Sequence, residues 1–283
     1  MNFRKLIAAW CLFLGVGSAI AAEPPLRVLT TIKPLQLIAL AVTGGDPDVQ
    51  VDVLLAPQSS PHDYQLKPSD REKIAVADAI FWVGPGLELF LERVLTSAGD
   101  ARAVALQPDG SHHDDAHIWM EPMAAAEIAD QLVAHLAQLR PQQAAVWRRN
   151  AADLRRRLTA LDRELAIVLR VQSPQGYLVS HDAFARFESR YGLRHVAALS
   201  DGEERPPGPR RIAAIKAGIA RGEIGCALLE PQYDRKTVRT VFGDTAVRQI
   251  NVDTLAGDIA PDREGLEKFY RGLGRVFREC IEK

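Results

Sequence analysis

The feature that most constrains the fold is a long segment, residues 142–172, that contains neither glycine nor proline. Within it, apolar side chains recur at spacings of four and three residues, the pattern of one buried helix face. This stripe consists of Leu154, Leu158, Leu161, Leu165 and Val168. A helix of about 30 residues would be ~45 Å long, the length of a whole domain. We therefore expect a rigid helical connector over residues 141–172 rather than a flexible linker.

Short apolar runs alternate with helical segments on both sides of this connector. The runs are residues 26–31, 49–55, 79–83 and 103–106 before it, and 177–179, 196–199, 224–229 and 247–252 after it. Such alternation is typical of parallel sheets covered by helices. The sequence therefore predicts an α/β fold with two lobes of mainly parallel sheets, joined by one long rigid connecting helix. The N-terminal lobe would cover residues 22–140 and the C-terminal lobe residues 173–283.

The N-terminus has the pattern of a signal peptide over residues 1–21. Arg4 and Lys5 precede an apolar stretch, residues 6–20, that is short for a membrane span. Ala19-Ile20-Ala21 then supplies the small residues that signal peptidases require. We expect cleavage near Ala21/Ala22 and an exported, soluble mature chain.

The charge balance argues against nucleic acid as a partner. The whole chain has 35 basic and 36 acidic residues, and removal of Arg4 and Lys5 leaves 33 basic residues. A slightly negative net charge provides no basic surface for phosphate backbones or anionic lipids.

Two cysteines, Cys226 and Cys280, remain once the signal peptide is removed. In an exported chain such a pair can form a disulfide, although two free thiols, one of them buried, are the alternative. We favour the disulfide, which would join the last helix to the sheet. Closing a loop of this length would stabilise the fold by ~4 kcal/mol on the chain-entropy model.

Four possible metal ligands follow predicted strands. His62, His117 and His181 each come after a strand, and Asp253 comes at the end of another. The carboxyl ends of parallel strands are where α/β sheets bind ligands, so these side chains could converge in the cleft between the lobes. Imidazoles with one carboxylate suit tetrahedral zinc. The alternative is that these polar loop residues never meet.

The other histidines have simpler interpretations. His135 lies beside leucines in a predicted helix and His195 begins a strand, so both are interpreted as structural. His112 and His113 lie in an acidic polar loop, residues 111–115, where histidines are usually solvated but can hold a metal loosely.

Four segments of the chain resemble the metal-specific periplasmic solute-binding proteins of zinc and manganese ABC importers. They are Ser60-Pro61-His62-Asp63-Tyr64 with Lys67-Pro68-Ser69-Asp70, His117-Ile118-Trp119-Met120, Ser180-His181-Asp182-Ala183-Phe184, and Glu230-Pro231-Gln232 followed by Val252-Asp253. The similarity covers nearly the whole mature chain, including the long helix between two α/β lobes.

The resemblance implies that His62, His117 and His181 are metal ligands and that Asp253 can supply a fourth. It also implies a Cys226–Cys280 disulfide. Manganese-type members tend to carry a carboxylate where this chain has His181, so Zn²⁺ is expected and Mn²⁺ is the weaker candidate. Many zinc-type members have a long histidine-rich loop before the second ligand, whereas this chain has only residues 111–115, with His112 and His113 as an accessory pair.

Three acidic residues close to the proposed ligands in sequence, Asp63, Asp182 and Glu230, are candidates for orienting the imidazoles. Each can equally be a helix cap or a surface carboxylate, and Asp182 stands at a good N-cap position.

The function implied by the resemblance is that of a periplasmic high-affinity zinc receptor, not an enzyme, which delivers its ion to the permease of an ABC importer. We expect a monomer, with a metallochaperone as a further candidate partner. One alternative is a zinc-dependent hydrolase, because three histidines and an open position also form catalytic sites, but no His-Glu-x-x-His helix is present. The other is a metal-binding adhesin of the same fold.

Overall fold

The computed structural model describes residues 23–57, 59–96, 101–108, 115–170, 173–200, 206–243 and 245–282. The predicted signal peptide, residues 1–21, and the accessory pair His112 and His113 lie outside these ranges. Within them, no helix combines the length and the apolar character needed to cross a membrane.

The N-terminal lobe contains a four-stranded parallel sheet in the order β2-β1-β3-β4. Its strands are β1 (Leu26–Thr30), β2 (Val49–Val53), β3 (Ala79–Trp82) and β4 (Ala103–Ala105), and its helices α1 (Lys33–Thr43), α2 (Pro68–Val76) and α3 (Leu89–Thr96). Helix α1 has Pro34 in its first turn, where a missing N–H costs nothing, and ends at Gly44 in the left-handed conformation.

The C-terminal lobe repeats this arrangement with the order β6-β5-β7-β8, also parallel. Its strands are β5 (Gly176–Val179), β6 (Ala197–Ala198), β7 (Ile224–Leu229) and β8 (Arg248–Asn251). Its helices are α6 (Ala185–Tyr191), α7 (Pro209–Ala220), α8 (Arg235–Phe242) and α9 (Gly265–Ile281). The prediction of two α/β lobes with parallel sheets is confirmed.

The connecting helix is shorter than predicted. Helix α4 (Pro122–Leu139) ends before Pro141, and a turn closed by a hydrogen bond from the Gln143 N–H to the Arg140 carbonyl leads into helix α5 (Ala144–Val168). The 25 residues of α5 span about 37 Å rather than ~45 Å. Most of the predicted apolar stripe is buried along its length.

One continuous apolar core joins α5 to both lobes. It includes Leu29 of the first sheet, Leu158 of α5, and Val179 and Phe277 of the second lobe, all at most 2% exposed. Helix α9 also reaches back to the first lobe, where the Tyr270 hydroxyl donates to the carbonyl of Trp119 at 2.6 Å. The two lobes therefore share packing instead of being joined by the connector alone.

The predicted disulfide is confirmed. Cys226 of β7 is bonded to Cys280 of α9, and their Cα atoms lie 5.5 Å apart. The bond attaches the last helix to the centre of the second sheet, because β7 lies between β5 and β8.

Candidate metal centre

Three of the four predicted ligands lie together between the lobes. His62 follows β2, His117 follows β4, and His181 lies two residues after β5. One ring nitrogen from each lies within 4.8 Å of the others, and His117 and His181 are only 6% and 3% exposed. The two sheets thus bring their ligands to one cleft, because parallel strands end at the same edge of a sheet.

The spacing of the ring nitrogens matches a tetrahedral ion. The His117 Nε2 lies 3.2 Å from the His62 Nε2 and 3.3 Å from the His181 Nε2. Zinc–nitrogen bonds of about 2.0–2.1 Å place tetrahedral nitrogen ligands about 3.3–3.4 Å apart. His117 therefore has the separation from each of its two partners that a shared zinc ion requires, and all three ring nitrogens lie within 4.8 Å of one another.

A carboxylate orients His117. The Nδ1 of His117 lies 2.7 Å from Asp115 Oδ1, which also accepts from the His117 backbone N–H at 2.9 Å. Burial would raise the pKa of Asp115, but the hydrogen bonds from His117, with help from the charge of Arg186, hold it below its ordinary value. The ionised carboxylate keeps the proton on Nδ1, so Nε2 presents its lone pair to the cleft.

A second carboxylate orients His181. Glu230 follows β7, is 3% exposed, and accepts from the His181 Nδ1 and from the Ser180 hydroxyl at 2.8 Å. The Thr254 hydroxyl also donates to it. Burial would raise the pKa of Glu230, but the hydrogen bonds from His181 and from the two hydroxyl groups hold it below its ordinary value. The Nε2 lone pairs of His117 and His181 therefore face each other, an arrangement that suits a cation between them.

The loop that carries His62 is stabilised by hydrogen bonds between residues of the same segment, residues 60–70. The His62 N–H donates to the Ser60 hydroxyl at 3.2 Å. Further along, buried Asp70 accepts from the Tyr64 hydroxyl and from the Lys67 N–H, both at 2.9 Å, and so caps α2. Burial and the neighbouring imidazoles of His117 and His181 lower the pKa of His62 to about 3, so its ring is neutral near pH 7.

The structure does not bring Asp253 into this group. Its carboxylate accepts from the backbone N–H groups of Leu255 and Gly257 instead, and so closes the turn after β8. Ala256, in the same turn, has a positive φ of 54°, a conformation that residues other than glycine adopt only where the surrounding structure imposes it. Asp253 departs from the predicted ligand role because the two backbone amides donate to both of its carboxylate oxygens.

The three predicted orienting acids have different positions. Glu230 contacts His181, which is the orienting role rather than the cap or surface role that the sequence also allowed. Asp63 and Asp182 are exposed, and the cap position of α6 is taken by Phe184 rather than by Asp182. Asp115, which contacts His117, was not predicted for this role. Its position two residues before a proposed ligand was the only sequence signal.

The two histidines interpreted as structural lie outside the metal group. The ring of His135 packs edge-on against Phe81 at a centroid distance of 5.7 Å, and burial lowers its pKa. His195 lies 2.9 Å from Glu188, whose hydrogen bond raises the pKa of the imidazole.

Comparison with known proteins identifies the family. Residues 28–280 match the model of the zinc-uptake complex component A, periplasmic. A high-affinity zinc uptake system protein ZnuA from Haemophilus ducreyi is 30% identical over 99% of both chains. Another, from Yersinia pestis, is 28% identical over 90% of this chain and 91% of its own length.

A solved structure shows the same fold. The crystal structure of a ZnuA superposes with a TM-score of 0.79 and 20% identity, and it covers 91% of this chain and all of its own. The family model and the 30% identical relative confirm the zinc-type solute-binding protein expected from the sequence motifs, a family of transport receptors and not of enzymes. The chain belongs to the family of periplasmic A components of zinc-uptake complexes.

Proposed function

We propose that this protein captures one Zn²⁺ ion in the periplasm through the Nε2 atoms of His62, His117 and His181 and delivers it to the permease of an ABC importer. The observation that carries the assignment is the pair of Nε2–Nε2 distances, 3.2 and 3.3 Å, which match a tetrahedral zinc site. Family membership supports the uptake role.

The fourth coordination position belongs to a water molecule in this proposal. Asp253 would have to give up its hydrogen bonds from Leu255 and Gly257 before it could bind the ion. Each such bond to a charged group contributes about 1.5–3 kcal/mol. A solvent ligand has no comparable cost, so Asp253 is the second candidate.

The ligand chemistry favours zinc over manganese. Three neutral imidazoles are borderline donors that suit Zn²⁺, whereas Mn²⁺ prefers oxygen ligands. Asp115 and Glu230 contribute their negative charge through the imidazoles and therefore support a divalent cation without replacing a nitrogen ligand.

The ion would enter and leave with little movement between the lobes. We assign residues 22–140 and 173–283 to the lobes and residues 141–172 to the connector. The indole of Trp119, in the first lobe, donates to the carbonyl of Thr254 in the second at 2.8 Å. This bond and the shared core support a nearly fixed cleft. The protein would act as a monomer after cleavage near Ala21/Ala22, with a metallochaperone as a further candidate partner.

Native mass spectrometry of the mature protein with equimolar zinc and manganese tests the site and its selectivity together. The wild type is expected to hold one zinc ion. His181→Ala should lose it, because one of three nitrogen ligands is removed. His135→Gln, a matched change of a histidine outside the group, should keep it. Equal losses in the two variants, or a preference for manganese, would refute the assignment.

A further inference from the structure

Among the described residues, a side chain of the second lobe contacts the residue that orients a proposed metal ligand of the first lobe. This side chain is that of Arg186. Arg186 lies in α6, in the segment that follows His181. Its backbone N–H lies 3.3 Å from Asp115 Oδ2, and its Nε donates to the Asp115 backbone carbonyl at 2.9 Å. Asp115 is the residue that orients His117.

From these contacts we infer that Arg186 is a positioning residue for the metal site, and that it acts on His117 through Asp115. The inference rests on the proposed function, because it concerns the same three imidazoles. It adds Arg186, which is not itself a proposed metal ligand. Through Asp115, Arg186 connects His117 of the first lobe to α6, the helix that follows His181 in the second lobe.

The two carboxylate oxygens of Asp115 have different partners, which supports the positioning role of Arg186. Oδ1 faces the Nδ1 and the N–H of His117, whereas Oδ2 faces the N–H of Arg186. The guanidinium holds the backbone of Asp115 through its carbonyl, so both the main chain and the carboxylate are fixed from the second lobe. The side chain of Arg186 therefore acts through the main chain of Asp115, and a displaced Asp115 would no longer direct its carboxylate to the imidazole of His117.

The position of Asp115 in the chain makes an outside anchor necessary. Asp115 precedes the short 3-10 helix Ile118–Met120 and belongs to no helix or strand. Its side chain is nevertheless only 16% exposed, and it contacts both His117 and Arg186 of α6. An ordered loop residue of this kind depends on its tertiary contacts.

A neighbouring arginine provides a matched control. Arg190, one turn further along α6, donates to Asp162 of α5 at 2.9 and 2.6 Å and lies 4.0 Å from Glu121. It therefore also joins α6 to other elements, but it contacts neither Asp115 nor a proposed ligand in the described part of the chain.

A double-mutant cycle on the mature protein tests the inference. Zinc affinity would be measured by competition with a chromophoric chelator for the wild type, Arg186→Gln, Asp115→Asn and the double variant. We expect Asp115→Asn to weaken binding by about 10- to 100-fold and Arg186→Gln by about 3- to 10-fold. The double variant should lose clearly less affinity than the product of the two single losses, because the charged carboxylate that the Arg186–carbonyl bond positions is already gone.

The absorption spectrum of bound Co²⁺ gives a second measurement that a merely structural role would not change. Arg186→Gln should alter the ligand-field bands in the same direction as Asp115→Asn, whereas Arg190→Gln should leave both the bands and the zinc affinity at wild-type values. The inference is overturned if Arg186→Gln binds zinc like the wild type, if its effect multiplies with that of Asp115→Asn, or if Arg190→Gln weakens binding equally. Undiminished zinc binding by the His181→Ala variant would overturn the proposed function as well.

Discussion

Glu230 is the side chain whose replacement should reveal most about the metal site. Glu230 is only 3% exposed. Its two carboxylate oxygens accept hydrogen bonds from four donors. The donors are the His181 imidazole, the hydroxyl groups of Ser180 and Thr254, and the Gln232 amide. Glu230→Gln keeps the shape of the side chain but removes its charge and turns one acceptor into an NH₂ group. The amide can no longer hold His181 in the orientation that directs Nε2 to the ion.

The expected loss of zinc affinity follows from the strength of the hydrogen bond between Glu230 and His181. A hydrogen bond to a charged group contributes about 1.5–3 kcal/mol. If most of this is lost from the bound state, zinc affinity falls by about 10- to 100-fold, the range found for partners of metal ligands. Chelator competition at a fixed pH near 7.4 measures this directly, with urea unfolding of the zinc-free protein as a separate measure of stability.

The same lobe provides a matched control. Glu188 is also buried, at 5% exposure, and also pairs with a histidine, His195, at 2.9 Å, while the Tyr177 hydroxyl donates to it at 2.6 Å. This pair lies outside the metal group. Glu188→Gln should therefore destabilise the fold and leave zinc affinity within about two-fold of the wild type. Glu230→Gln with wild-type affinity, or an equal loss in Glu188→Gln, would refute the reasoning.

Two further predictions concern stability. Burial, with the neighbouring imidazoles of His117 and His181, lowers the pKa of His62 to about 3. The unfolded chain therefore takes up a proton near pH 6.5 that the folded zinc-free protein does not, so stability should fall as the pH drops from 6.5 towards 3. His62→Gln should flatten this slope in urea unfolding at several pH values, and an unchanged slope would contradict the assignment. The disulfide closes a sequence separation of 54 residues, so Cys226→Ser with Cys280→Ser should cost about 4 kcal/mol in the same assay while zinc affinity stays unchanged. A loss below about 1 kcal/mol would contradict the chain-entropy argument.

Much of the fold could be predicted because its determinants are local. Apolar runs bounded by glycine and proline located the strands, and Pro34 and Gly44 marked the two ends of α1. The placement of His62, His117 and His181 after strands made their convergence possible, since parallel strands end at a common edge, and the resemblance to zinc and manganese receptors selected it over the alternative. The cysteine pair was likewise visible in the sequence.

The contacts that complete the site depend on information that a single sequence lacks. Glu230 meets His181 because β7 lies beside β5, and strand order cannot be read from apolar runs. Asp253 follows a strand just as His181 does, yet its carboxylate binds amides of its own turn. Nothing in the residue type distinguishes a carboxylate that closes a turn from one that binds a metal.

The continuous core between the lobes has a consequence for how the cargo is unloaded. At a dissociation constant of about 1 nM and an association rate of about 10⁸ M⁻¹ s⁻¹, an ion stays bound for on the order of ten seconds. A receptor with a hinge can shorten this residence by opening, but here Trp119 and Thr254 join the two sides of the cleft. With the nearly fixed cleft that we propose, release of the ion would depend on the membrane partner, which would have to deform the receptor or draw the ion out of it.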